Sequence, residues 1–179
     1  MNAIDALEAS YATARPVVAA VSPSDLAQPT PCAEWNVETL VTHFVNGIAM
    51  FPALLAGEKP DIASGISGDI ATAFDGAVRG NVEAWRAPGA TEHHTNMLPG
   101  MRLIDLNLCD AVVHTWDLAT AIGVAARFDP DAVAYVYERW SNAPLDVSRQ
   151  YNAFGPEVSV AADASPLDRL LGLVGRQPA

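Results

Sequence analysis

The chain has 179 residues, and half of them are hydrophobic, which is enough to build the core of one domain. Its 21 acidic residues outnumber its 10 Lys and Arg residues, for a formal net charge of -11 at pH 7. Such a surface repels phosphates, so we expect no binding to nucleic acid or to an anionic membrane. We expect instead a small-molecule partner, and an anionic one only if a bound metal reverses the local potential.

Cysteine usage and the N-terminus predict a soluble, cytoplasmic protein. Cys32 and Cys109 form no Cys-x-x-Cys pair and are expected to be reduced thiols. The first residues carry acids where a signal peptide carries positive charge, and no apolar run approaches the roughly 18 residues of a membrane span. We expect Cys109 in the core. Cys32 is either buried and inert or activated by the N-terminus of the helix that follows it.

The apolar residues recur at three- and four-residue steps, which is the helical period. Helices are predicted over about 3–21, 37–56, 69–86, 101–122 and 130–142, with a short one after Ser165. Pro16 is expected to kink or divide the first helix. Residues 88–100 are predicted to form an irregular crossover, and residues 154–161 a short strand or extended arm. We predict a single domain over 1–179, with a bundle core at 1–145 and a C-terminal arm and short helix at 146–179.

One spacing in the fourth helix is typical of metal ligands. Asp110 and His114 lie four residues apart and therefore on the same face of a helix. The second helix carries His43, which we expect on an apolar face together with Leu40 and Gly47. If the two helices pack together, two imidazoles and one carboxylate surround a cation and leave coordination positions open. Zinc or nickel would suit these donors.

Other interpretations of the same residues remain open. Asp110 and His114 form a solvated ion pair in one of them, and in another His43 hydrogen-bonds across the helix interface. Asp117 extends a polar stripe that runs through Asn107, Asp110 and His114, and it can orient an imidazole by accepting its second N–H. Trp35 and Trp116 are expected to be packing residues. His93 and His94 are expected to be exposed in the crossover.

Three segments together resemble a known family. They are Thr30-Pro-Cys-Ala-Glu-Trp-Asn-Val-Glu-Thr-Leu-Val-Thr-His43, Asp110-Ala-Val-Val-His-Thr-Trp-Asp-Leu-Ala119, and the tail from Phe154-Gly-Pro to Arg176. They resemble actinobacterial DinB-like proteins related to the N-terminal domain of mycothiol-dependent maleylpyruvate isomerase. The resemblance implies an all-α fold, a DinB-like four-helix bundle with a long crossover, followed here by the short C-terminal arm and helix.

The resemblance also implies a divalent metal held by His43, Asp110 and His114. The isomerase has glutamate where this chain has Asp110, whose side chain is shorter by one C–C bond of about 1.5 Å. Either the backbones lie closer together, or a water bridges, or the metal is weak or absent. The implied function is a mycothiol-dependent transferase or isomerase acting on a small molecule, with mycothiol as cosubstrate and a homodimer left open. The alternative is a non-catalytic bundle that binds a small ligand.

Overall fold

The computed structural model describes residues 1–32, 35–62, 64–95, 100–150 and 154–178. These residues form helices joined by loops and turns, with no strand among them. The helices are α1 (Ala3–Ala19), α2 (Val37–Leu55), α3 (Ile70–Trp85), α4 (Leu103–Ile122), α5 (Pro130–Trp140), α6 (Leu145–Gln150) and α7 (Pro166–Leu173), with a 3-10 turn at Ala90–Glu92. The predicted all-α fold is confirmed.

The first four helices form the bundle. Helix α1 packs against α4 and α3, and α2 packs against the same two helices, so the order around the bundle is α1, α4, α2, α3. Helix α5 lies against α1 and α4, and α7 lies against α5 on the outside. Because α4 meets three other helices, most of its residues are buried, including polar ones.

Local capping explains where these helices begin. The Asn2 side chain accepts hydrogen bonds from the backbone N–H groups of Ile4 and Asp5. The Asp5 carboxylate in turn accepts from the Asn2 backbone N–H, which completes a capping box at α1. The Asn36 side chain accepts from the Thr39 backbone at the start of α2. The start of α2 is thereby fixed, and with it the position of His43, two helical turns further on.

Several expectations about the helices need correction. Helix α1 runs through Pro16 without interruption, so the predicted division there is wrong. Helix α6 was not predicted, and α5 ends at Trp140 instead of Asn142. Residues 154–161 form neither a helix nor a strand, so of the two predicted alternatives, a short strand or an extended arm, the strand is absent there. Parts of the predicted crossover and arm, residues 96–99 and 151–153, lie outside the described residues.

Helix α2 presents a different face to the core from the one predicted. Its buried residues are Val37, Leu40, Val41, Phe44, Val45, Ile48 and Phe51. His43 lies beside this face and is only partly buried. Among the described helices, α2 is the one long and apolar enough to cross a membrane, judged by length and composition alone. Its packing against α3 and α4 gives its apolar residues a place in the bundle core.

The predicted polar stripe on α4 is not one continuous site. Asn107 is buried and belongs to a hydrogen-bonded network in the bundle, where its Oδ1 accepts from Trp85 Nε1 at 2.8 Å and its Nδ2 donates to the Tyr11 hydroxyl at 2.8 Å. That hydroxyl donates to Asn81 Oδ1 at 3.2 Å, and Asn81 Nδ2 donates to the Ile48 carbonyl at 2.7 Å. A buried polar group needs such partners, so Asn107 ties helices together and does not face a cavity.

Candidate metal centre

His114 is held in place by Asp117, one turn further along α4. Its Nδ1 lies 3.2 Å from Asp117 Oδ2, and both side chains are buried. Burial alone would raise the pKa of Asp117, but hydrogen bonds from His114 and Arg176 outweigh it and hold that pKa below its ordinary value. An ionised carboxylate can only accept, so Nδ1 of a neutral His114 carries the proton. Its Nε2 lone pair is then free for a ligand role.

The His43 ring lies beside the His114 ring. The two ring centroids are 5.0 Å apart, with the planes nearly perpendicular at 85°. Burial, and then the neighbouring His114, lower the pKa of His43 to about 4. His43 is therefore neutral at pH 7, which is the form of imidazole that binds metals.

Aromatic side chains enclose the two imidazoles. The Trp35 ring centroid lies 4.6 Å from that of His43 and 6.2 Å from that of His114. The ring centroid of Phe44 on α2 lies 6.0 Å from that of His114. Trp35 contacts both candidate ligands, so the expectation that it serves packing alone misses its place at the site. Its position just before the Asn36 cap is the sequence signal that places it near His43.

Asp110 lies one turn before His114 and is partly buried. Burial raises the pKa of its carboxyl group, and the charges of His114 and Arg176 offset only part of that rise. The structure therefore places Asp110 in the electrostatic neighbourhood of His114.

Arg176, near the C-terminus, also reaches the site, and sequence reasoning missed it. Its Nε lies 3.1 Å from Asp117 Oδ1 and its Nη2 lies 2.8 Å from Asp117 Oδ2. The same Nη2 lies 3.1 Å from the sulfur of Cys32. The guanidinium is 8% exposed, so this is a buried two-point ion pair. No periodicity links residues 59 positions apart, and the sequence carried no signal for the pairing.

Cys32, His114 and Asp117 bring candidate ligand atoms within 4.8 Å of one another, the one group of this kind among the described residues. We do not assign a metal to this group, because Arg176 already supplies a cation to Asp117 and contacts the Cys32 sulfur. Burial raises the pKa of the Cys32 thiol to about 11, so it is protonated at neutral pH. This agrees with the expectation of an inert cysteine. Cys109 is buried, as predicted, and His93 and His94 are exposed.

The predicted ligand set is only partly assembled. His43 and His114 are neighbours, whereas Asp110 does not join them in a group within 4.8 Å. The assignment of His43, Asp110 and His114 as metal ligands therefore stays a prediction, as does the orienting role of Asp117.

Comparison with known proteins identifies the family. The model of the mycothiol maleylpyruvate isomerase N-terminal domain matches residues 7–119, a range that contains His43, Asp110, His114 and Asp117. Uncharacterized proteins of Mycobacterium tuberculosis, Rv0738 of strain H37Rv and MT0763 of strain CDC 1551, are each 29% identical over 170 residues. The aligned region covers 89% of this chain and 90% of each relative. No solved structure matches the chain significantly.

The fold and the site together define a helical bundle with one imidazole on each of the packed helices α2 and α4 and a buried carboxylate, Asp117, on α4. The chain belongs to the mycothiol maleylpyruvate isomerase N-terminal domain family.

The histidine pair fits a divalent metal. Two imidazoles and a carboxylate are ordinary ligands of zinc and nickel. Two imidazoles bound to one tetrahedral zinc at about 2.1 Å would place their ring centroids about 5 Å apart. The observed separation of 5.0 Å agrees with that requirement. The fit rests on the histidine pair, and Asp110 must approach that pair to complete the set.

Proposed function

We propose that this protein binds a divalent metal, zinc or nickel, through His43, Asp110 and His114. The observation that carries the proposal is the pair of imidazoles 5.0 Å apart, one neutral through burial and the other tied at Nδ1 to Asp117. Membership of a family described by a mycothiol-dependent isomerase supports it independently.

We propose further that the metal serves a reaction of a low-molecular-weight thiol, mycothiol, with a small-molecule substrate in the cytoplasm. A bound divalent cation would stabilise the thiolate form of the thiol and so lower its pKa. Two contacts within the chain support this role: Asp117 holds the proton of His114 on Nδ1, and the rings of Trp35 and Phe44 pack beside the imidazoles. A transferase or an isomerase is compatible with this chemistry, since both begin with attack by the thiol sulfur on an electrophilic carbon.

Metal and thiol binding test the proposal directly. Protein purified without an affinity tag is analysed for metal before and after incubation with zinc, and mycothiol binding is measured calorimetrically with and without metal. We expect about one zinc per chain, and mycothiol binding that requires the metal. A content below about 0.1 metal per chain that does not rise on adding zinc contradicts metal binding.

A matched pair of variants shows whether the assigned histidines are responsible. His43→Ala removes a proposed ligand, and His93→Ala removes an exposed histidine of the crossover. We expect the first variant to lose zinc and mycothiol binding, and the second to keep both. If mycothiol binds equally well to the metal-free protein and to His43→Ala, the non-catalytic binding bundle is the better description.

A further inference from the structure

The C-terminal segment carries a residue into the candidate metal centre from outside the matched family region. That region ends at residue 119, and Arg176 lies after α7, the last helix of the chain. The Arg176 side chain is nevertheless buried against Asp117 of α4, with contacts of 2.8 and 3.1 Å to the two carboxylate oxygens. A third contact, from Nη1 to the Val174 carbonyl at 3.2 Å, anchors the guanidinium to its own backbone.

Close backbone contacts hold the segment in this position. A Cβ atom on Gly172 would lie 2.5 Å from the Val158 carbonyl oxygen, and one on Gly175 would lie 2.6 Å from Gly155 Cα. Gly175 also has a φ of +84°, which favours glycine. Only residues without a side chain allow this approach of the arm to the end of α7. The close backbone packing at Gly172 and Gly175 therefore fixes the position from which the Arg176 side chain reaches Asp117.

The two-point contact restricts how Asp117 can orient. A guanidinium is a rigid planar fork, and a carboxylate gripped at both oxygens has little freedom to rotate. One of those oxygens, Oδ2, also lies 3.2 Å from His114 Nδ1. The orientation of the imidazole thus depends on a carboxylate whose own orientation is set by Arg176.

We propose that Arg176 is a positioning residue of the candidate metal centre. Acting through Asp117, it fixes the His114 ring so that Nε2 faces the ligand position. The C-terminal arm and α7 then contribute to the candidate metal centre by placing Arg176 against Asp117. This inference rests on the proposed function.

A double-mutant cycle on zinc affinity tests the proposal. Arg176→Met and Asp117→Asn are each expected to weaken zinc binding about 10- to 100-fold, as loss of a group supporting a ligand does. Because Arg176 acts through Asp117, the double variant should bind zinc no more weakly than Asp117→Asn alone. The double variant also removes both buried charges, so it remains informative if Arg176→Met alone fails to fold. Additive losses in the double variant, or zinc affinity unchanged in Arg176→Met, overturn the proposal.

Arg139→Met is the matched control. Arg139 on α5 donates from Nη2 to Oδ2 of Asp105 on α4 at 3.1 Å. Among the described residues, no imidazole contacts the Asp105 carboxylate. We expect this variant to lose stability while zinc affinity stays within about twofold of wild type. An equal loss of zinc affinity in Arg139→Met would show that any damage to α4 suffices, and would overturn the positioning role.

A readout on the metal-free protein separates this inference from the proposed function. Nitrogen-15 NMR of the His114 ring reports which nitrogen carries the proton. We expect Nδ1 to be protonated in wild type and Arg139→Met, and a mixture of tautomers in Arg176→Met or, if that variant does not fold, in Arg176→Lys, which keeps the buried charge but not the two-point contact. If wild type binds no zinc, the proposed function fails, and the NMR comparison still decides the positioning role. An unchanged His114 spectrum in the Arg176 variant contradicts it.

Discussion

Helix α4 carries two fully buried aspartates, and each is paired with arginine, but the two pairs have different surroundings. Near the start of the helix, Asp105 accepts from Arg102 Nε at 3.0 Å and Nη2 at 2.9 Å, and from Arg139 Nη2 at 3.1 Å. Near its end, Asp117 accepts from Arg176 and from His114. Among the described residues, the side-chain partners of Asp105 are both cations, whereas Asp117 accepts from Arg176 at both oxygens and from the His114 imidazole at Oδ2.

The comparison shows how the same ion pair can serve structure at one place and a candidate site at another. The arginine partners of Asp105 reach solvent in part, with side chains 18% and 40% exposed, and they join α4 to α5. The Asp117 partner is 8% exposed and joins α4 to the C-terminal segment. At Asp117 the pair also meets Cys32 and His114, whose ring lies beside that of His43. A chemical role is therefore expected at the end of α4 and not at its start.

We expect the largest difference between the two pairs when each aspartate is replaced by asparagine, both in unfolding free energy and in zinc affinity. Asp117→Asn leaves the buried Arg176 without its charge partner and is expected to cost about 3–5 kcal/mol of unfolding free energy. Asp105→Asn should cost less, because Arg102 and Arg139 can turn toward solvent. Chemical denaturation measures both costs, and zinc titration should show a loss only for Asp117→Asn. Equal loss of zinc affinity in both variants would remove the distinction between the two ends.

Substitution of Gly175 tests whether the close packing of the C-terminal segment against Gly155 stabilises the fold. Gly175→Ala combines a left-handed backbone with a clash against Gly155, and we expect a cost of about 2–4 kcal/mol. Gly123→Ala has the same backbone strain at φ +69° but open space around the new methyl group, so about 1–2 kcal/mol is expected. Thermal and chemical unfolding compare them. If the two variants lose equal stability, the tight approach of the arm does not matter.

The ion pairs of Asp105 with Arg102 and Arg139 should make the stability of the fold depend on pH. Burial alone would raise the pKa of Asp105, but its bonds to Arg102 and Arg139 outweigh burial and keep it below the ordinary value of 3.8. A lowered folded-state pKa stabilises the fold above the unfolded value, and the gain is lost as the pH falls through the folded-state pKa. The stability difference between wild type and Asp105→Asn should therefore persist from pH 7 to about 4 and shrink below that. A difference that does not change with pH would contradict the ion-pair assignment.

The sequence predicted most of the helices because their signals are local. Apolar periodicity and capping residues such as Asn36 and Asp129 placed five long helices within a few residues. The Asp110 and His114 spacing on α4 was also a local pattern. The predicted division at Pro16 was wrong because the packing of α1 against α3 and α4 outweighs the loss of one backbone donor, and the predicted kink stays a prediction.

The rest of the site depends on contacts between distant parts of the chain, which no single-sequence pattern contains. Asn107 has the same spacing as the ligand stripe, yet it faces Trp85 and Tyr11 because α1 and α3 pack beside it. Arg176 reaches Asp117 because α7 docks on α5 and the glycines admit the arm. Trp35 lies against His43 because of the loop that precedes α2.

The most direct test of the central claim is zinc binding by wild type, His43→Ala, His114→Ala and His93→Ala, measured by calorimetry on tag-free protein. We predict about one zinc per chain for wild type and His93→Ala, and at least about a 100-fold loss of affinity for the other two variants. Zinc affinity that is the same in His43→Ala and His114→Ala as in wild type would contradict it, because the imidazole pair would then not be the metal centre.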